Sequence, residues 1–377
     1  MPRKPILLAL AAVLLLGTTR AQPSVSPTWT LTRCDGLDLA RAKPAIDALF
    51  SGQHGETRAV SLTVDGCPAV RIYAPGYGDQ QRFISWSMAK TVTAMLVGEL
   101  VAEGRLRLDD PVALAEWRKA SGPHAGITLR HMLHMASGVR HIEVGEPVEN
   151  SDTNQTLFVS GTRHMAADAL AQPIEARPGS RFQYNSLTSL LLSEVIVRAL
   201  TPSRDSRVRA VAYRNFAQAR LFGPAGVTSA VLDFDGAGTQ VGGSLMYMTL
   251  ADWSRMGALL IDGKGPNGAQ VIAPEWLAFL KTPSPTNREY GAQVWLNYPS
   301  SVREGAALFP GKGPDTTVSM NGHLGQFVIA AEGMVDGKPR RLVLVRLGNT
   351  PDSAMDPLMA RLGDVVEAVV PRGGRTN

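Results

Sequence analysis

Ser87-Met88-Ala89-Lys90 places a hydroxyl and an amine three residues apart, a spacing that sets both on one face of a helix. A serine hydroxyl is scarcely ionised at neutral pH and needs a base before it can attack a carbonyl. A lysine at a helix start, partly desolvated and near the positive end of the helix dipole, has its pKa lowered enough to be that base. The plainer reading of the same residues is a solvated lysine on an exposed helix face. Tyr184-Asn185-Ser186 follows Pro178-Gly179-Ser180 and Phe182 at a loop-to-helix junction. There a phenol can face a cleft and, with its pKa lowered by a nearby lysine cation, shuttle protons; the alternative is a tyrosine packed on the core edge. Gly322-His323-Leu324-Gly325-Gln326 precedes a β-rich run. Its glycines allow close backbone approach of a ligand, its amides can supply an oxyanion donor, and His323 would line the groove. A lone histidine is more often structural.

Patterning around these residues supplies the elements that would hold them. Leu37 to Phe50 reads as an amphipathic helix, and Ala59 to Val64, Asp65-Gly66 and Val70 to Tyr73 as a hairpin. Ser87 to Glu103 is helical, with Met88, Val92, Met95 and Leu96 at turn spacing and Gly104 placed to end it. From Pro111 to Leu260 helical patterns dominate, among them Leu129 to Met135, Ala166 to Ala171, Leu187 to Ala199 and Ala251 to Ile261. Strands return at Phe327 to Ala331 and Leu342 to Leu347, joined through Asp336-Gly337, and Met355 to Val370 closes as a helix. Strands at both ends with helices between predict an α/β (α+β) fold whose ends build one sheet around an inserted helical domain, with the site in the cleft between them.

In this order and at these separations, the three motifs resemble those of the serine β-lactamase and penicillin-binding-protein-like hydrolases. The branch is the class C-like one that includes esterases, D-amino-acid peptidases and 6-aminohexanoate-dimer hydrolases. Ile127 to Leu133 through Ser137-Gly138, then Gly242-Gly243-Ser244 with Met248-Thr249, Val271-Ile272, Tyr290-Gly291 and Trp295 are similar to further landmarks of that family. The resemblance implies an antiparallel sheet flanked by helices. It implies one hydrolase domain over residues 28–371, with its α/β part at about 28–110 and 285–371 and its helical part at about 111–284. It makes Ser87 the acylated nucleophile, Lys90 its base and Tyr184 a second acid or base. The amides of Ser87 and Gln326 would form the oxyanion hole, with His323, Gly325, Asn185 and Ser186 lining the substrate site. Neither cofactor nor metal is implied. Two departures stand out: Ser186 occupies the place where the second motif usually ends in Asn, and His323 the place where true β-lactamases have Lys. A neutral histidine binds a carboxylate less well than lysine at pH 7, so esterase or amidase chemistry is expected over penicillin hydrolysis.

Arg3 and Lys4 precede an apolar run from Ile6 to Leu16, and Thr19-Arg20-Ala21 offers small residues for cleavage. Residues 1–21 therefore read as a signal peptide, too short in its apolar part to span a membrane. A periplasmic or secreted protein is expected, with no stable membrane insertion once the leader is gone. Loss of Arg3, Lys4 and Arg20 lowers the formal charge from +5 to +2. No basic run with interleaved aromatics remains, which argues against nucleic acid as a partner; the expected partner is a small ester, amide or short peptide. Cys34 and Cys67 are the only cysteines. They can form one disulfide clipping the first helix to the first hairpin, or remain two buried thiols. Zinc is a weak competitor: His131 and His134, with His124 and His141 nearby, lack the accompanying carboxylate pattern. A binder of cell-wall peptide or β-lactam that kept the fold and lost turnover is the other alternative; the presence of Ser87, Lys90 and Tyr184 together argues against it.

Overall fold

Asp65-Gly66 and Asp336-Gly337 both adopt positive φ at each residue, 50° and 83° in the first pair and 50° and 73° in the second. This is the turn whose twist matches that of the strands it joins, and Asp-Gly is among the pairs that enter it most readily. The two turns organise the sheet of the computed structural model, which describes residues 26–119, 122–302 and 305–373. The expected signal peptide lies outside the described residues.

The strands are β1 (Thr28–Leu31), β2 (Glu56–Val64), β3 (Cys67–Tyr73), β4 (Arg82–Ile84), β5 (Val231–Leu232), β6 (Met246–Thr249), β7 (Trp295–Leu296), β8 (Val318–Gly322), β9 (Gln326–Val335) and β10 (Lys338–Asn349). The helices are α1 (Leu39–Leu49), α2 (Met88–Ala102), α3 (Ala115–Lys119), α4 (Leu129–Leu133), α5 (Asp152–Asn154), α6 (Met165–Leu170), α7 (Ser186–Leu200), α8 (Ser206–Ala217), α9 (Leu250–Asp262), α10 (Pro274–Lys281) and α11 (Met355–Val369). Seven strands form an antiparallel sheet in the order β1-β3-β2-β10-β9-β8-β7, so both chain ends build it, as expected. A second, three-stranded sheet runs β4-β6-β5.

Alternation along the strands divides the core in two. Val60, Leu62, Val64, Ile329, Leu342 and Leu344 face α1 and α11, burying Ile46, Leu49, Leu358 and Leu362 with them. Ala59, Val328, Ala330, Val343 and Val345 face the other way, onto a core shared with α2 and α9. The turn spacing of apolar residues in α2 suggests one buried face, but Met88 through Gly98 are all buried. A helix apolar all round belongs in the interior, and α2 runs between the sheet and the helical part, packed on α7, β8 and β9.

One boundary differs from expectation. α9 falls within the stretch 111–284 assigned to the helical part, yet it packs on β2, β9 and β10. At Gly257 a Cβ would lie 2.5 Å from Val343 and 2.7 Å from Val328, so glycine lets the helix approach the sheet. The sheet layer therefore reclaims this helix. Cys34 and Cys67 are joined in a disulfide with Cα atoms 6.0 Å apart, so the first of the two cysteine readings is the one the structure has. No helix among the described residues is long and apolar enough to cross a membrane.

Candidate active site

β4 leads directly to the serine. Ser85 is fixed to the opening of β6: its N–H donates to the Met246 carbonyl at 2.8 Å, and its Oγ accepts from Met246 N–H at 3.1 Å. Trp86 then takes φ 43°, a left-handed conformation that costs a bulky residue of order 1–3 kcal/mol and persists only where its surroundings hold it. Ser87 follows as the residue that caps α2, so its amide and side chain stand at the positive end of a 15-residue helix.

Lys90 lies one turn further on and is buried. Its Nζ donates to Ser87 Oγ at 2.9 Å, Ser186 Oγ at 2.8 Å and the Gly243 carbonyl at 2.7 Å. The reading of Lys90 as an exposed, solvated side chain is thereby set aside. Burial lowers its pKa to about 8, against the opposing pull of the Glu143 carboxylate.

The second motif divides its labour. Asn185, expected to line the substrate site, is instead the cap of α7: its Oδ1 accepts from Thr188 N–H at 2.8 Å and its Nδ2 donates to the Val139 carbonyl at 3.2 Å. Buried, with its oxygen and its nitrogen each tied to backbone, this amide holds the start of α7. Ser186, next in line, faces Lys90. Tyr184 lies beside Ser87, and Lys90 Nζ sits 5.0 Å from the centroid of its ring. The expectation of a lowered phenol pKa is corrected: burial and the negative charge of Glu143 push it up, and the Ser87 side chain only partly offsets them. Tyr184 is therefore a protonated phenol at neutral pH.

Glu143 is the residue that sequence reasoning missed. Its Oε1 accepts from Ser186 Oγ at 2.6 Å, and its Oε2 accepts from Ser186 N–H at 2.9 Å and lies 2.6 Å from His141 Nε2. Burial pushes the carboxyl pKa up, but the bonds from His141 and Ser186 and the Lys90 charge outweigh it and hold it at about 2. Glu143 stands 43 residues before Ser186 in a loop without periodic pattern, so no local signal marks it.

In the third motif, Gly322 lies where a Cβ would be 2.3 Å from the Ser85 carbonyl oxygen, so only glycine lets the end of β8 meet the turn that carries Ser87. His323 is exposed, its ring 5.4 Å from Trp86 and edge-on. Gly325 and the side chain of Gln326 turn away from the cleft. The Gly325 carbonyl accepts from buried Arg346 at 2.8 Å, and the Gln326 amide is bonded to both N–H and C=O of Gly348 on β10. These two residues shape the turn from behind, Gly325 through its carbonyl and Gln326 through its side chain.

Aromatic rings gather around Ser87 and Lys90. Tyr184 stacks on Trp295 at 5.6 Å and meets Tyr290 edge-on. On the other side Phe158 approaches Trp86 at 6.4 Å while remaining 52 % exposed. The histidines considered for zinc have other employment: His131 completes the cap of α4 with Thr128, and His134 stacks on Phe279 with burial lowering its pKa to about 4.

An antiparallel sheet covered by helices on both faces, with a serine at the head of a buried helix, defines the β-lactamase and transpeptidase class of fold. Residues 46–367 match the family model described as Beta-lactamase, and the chain belongs to that family of hydrolases. Among solved structures it is similar to a Bacillus anthracis protein assigned as a 6-aminohexanoate-dimer hydrolase, at 20% identity and TM-score 0.64, covering 86% of this chain and 81% of that one. A family VIII carboxylesterase aligns at 14% identity and TM-score 0.65 over 91% and 99% of the two chains. A penicillin-binding protein homologue from Caulobacter crescentus aligns at 17% and 0.63 over 90% and 98%. No curated protein sequence matches significantly.

Proposed function

We propose that this chain is an exported serine hydrolase that cleaves small esters or amides through an acyl-enzyme on Ser87. The observation that carries the reading is the 2.9 Å contact between Lys90 Nζ and Ser87 Oγ, made inside a buried network by a lysine whose pKa is lowered. Neutral Lys90 takes the Ser87 proton as Oγ bonds to the substrate carbonyl carbon. Charge on the carbonyl oxygen is met by the Ser87 amide at the head of α2 and by a donor from the turn after β8, expected at Gln326, whose Gly322–His323 end packs on Ser85 and Trp86. Collapse breaks the ester or amide bond, and the leaving group receives a proton from Tyr184, which the neighbouring Lys90 ammonium restores with the proton it took from Ser87. Water then attacks the acyl group, passes its proton back along the same path, and frees Ser87.

Two features favour uncharged esters and amides over penicillins. His323 stands where a β-lactamase presents lysine to the substrate carboxylate, and the walls are aromatic: Trp86, Phe158, Tyr184 and Trp295. Export is supported by the leader pattern of residues 1–21 and by the disulfide, which persists in oxidising compartments. Labelling with a fluorophosphonate and mapping the modified peptide tests the reading. Ser87 is expected to be the modified residue, and Ser87→Ala to lose labelling and turnover while staying folded. Labelling elsewhere, or activity in Ser87→Ala, refutes it. Parallel assays with p-nitrophenyl esters, nitrocefin, D-Ala-D-Ala peptides and 6-aminohexanoate dimer then resolve the substrate, with esters or linear amides expected to lead.

A further inference from the structure

The hydrogen bonds around Lys90 constrain where its lone pair can point. A lysine ammonium has three N–H donors and no acceptor, and here they go to Ser87 Oγ, Ser186 Oγ and the Gly243 carbonyl. Gly243 can only accept. Ser186 carries one proton, and the Glu143 carboxylate takes it at 2.6 Å. Toward Lys90, then, Ser186 is also only an acceptor. When the ammonium loses a proton, two N–H groups must stay on Gly243 and Ser186, and the lone pair falls on the one direction left, toward Ser87.

We propose that Glu143 is a positioning residue: by holding the Ser186 hydroxyl proton it aims the base, neutral Lys90, at Ser87. The proposal rests on the reading of Ser87 as nucleophile and Lys90 as base. It explains how this chain works with serine where the family's second motif usually carries asparagine. An asparagine amide would contribute its own donor and acceptor, whereas a serine hydroxyl can rotate and compete for the lysine lone pair unless something fixes its proton. Glu143 fixes it from both sides, since its second oxygen accepts the Ser186 backbone N–H at 2.9 Å and so also anchors the first residue of α7. The charged and titratable groups around it are Lys90 from α2, Tyr184 before α7, Tyr290 before β7, and His141 from its own loop, backed by Asp152 and Arg140.

Glu143→Gln keeps the shape and places an NH2 among donors. Set at Oε1, that NH2 donates to Ser186 and turns the hydroxyl proton onto the Lys90 lone pair; set at Oε2, it opposes the Ser186 N–H. The test is the rate of Ser87 phosphonylation by a fluorophosphonate as a function of pH, in wild type, Glu143→Gln, Ser186→Ala and the double variant, with folding followed by circular dichroism. Glu143→Gln is expected to react about 100-fold more slowly, the scale of a misdirected general base. Its acid limb should move to lower pH, because the carboxylate no longer favours the Lys90 ammonium. Ser186→Ala should also slow labelling, and the double variant should be no slower than the slower single variant, since both changes remove the same constraint. A wild-type rate and pH profile in Glu143→Gln, or losses that multiply in the double variant, would overturn the proposal. If Glu143→Gln does not fold, a wild-type labelling rate in Ser186→Ala overturns it alone. Absence of label on Ser87 in the wild-type protein is a different failure, of the hydrolase reading itself.

Discussion

At Lys90 a side chain that is ordinarily solvated has been buried with every donor occupied. Desolvation disfavours the ammonium, and its pKa falls to about 8 from an ordinary 10.5. The sign of the resulting pH dependence follows directly. As the proposed base Lys90 must be neutral, its neutral fraction grows as pH rises through about 8, and Tyr184, whose pKa is pushed up, keeps its proton over that range. Hydrolysis of a p-nitrophenyl ester should therefore show kcat/KM climbing about tenfold per pH unit below that point and levelling above it. A profile flat from mildly acid to alkaline pH would remove Lys90 from the base's role. Residue identity alone could not have supplied this behaviour. The same four residues on an exposed helix would leave an ordinary lysine.

Elements act here as clamps. The small sheet carries Ser85 on one side and leads on the other to Gly243, so one structure holds both the turn before Ser87 and an acceptor for Lys90. The end of β8 closes on that turn at Gly322. Gly322→Ala would force a Cβ to 2.3 Å from the Ser85 carbonyl, and backbone must move to relieve it. Overpacking of this kind costs about 1–3 kcal/mol, and displacement of reacting groups by about 1 Å costs on the order of 100-fold in rate. The variant should melt somewhat lower and label at Ser87 far more slowly, measured by thermal unfolding and fluorophosphonate kinetics together. Labelling at the wild-type rate would mean that the clamp does not position the serine.

At the scale of the whole molecule, the sheet separates stability from chemistry. The disulfide joins the segment after β1 to the start of β3, at the opposite end of the strand order from β7 and β8. It closes a loop with a sequence separation of 33 residues, and such a cross-link contributes about 2–4 kcal/mol by restricting the unfolded chain. Replacing both cysteines with alanine should lower stability by that amount in denaturant titration, yet leave the labelling rate of folded protein unchanged. Equal loss of both would imply that the sheet edge is coupled to the cleft.

Much of this was legible in the sequence because it is decided by near neighbours. Asp-Gly pairs dictate hairpins, helical spacing dictates α2 and α7, and Ser87-x-x-Lys90 shares a face by geometry alone. The departure at Ser186 was visible too, though not its meaning. That meaning required Glu143 and Gly243, which reach Lys90 from distant points of the chain through loops without periodicity. Likewise, nothing local distinguishes Asn185 as a helix cap from Asn185 as a ligand contact, or tells that the Gln326 side chain bolts onto β10; the deciding partners are Val139 and Gly348. Tyr184 is the clearest case. A lysine nearby suggests a lowered pKa, and only the folded chain brings the burial and the Glu143 charge that raise it. Sequence determined which groups could react and which elements could carry them. Tertiary structure decided their protonation and aim, because both depend on the surroundings that fold closure brings together.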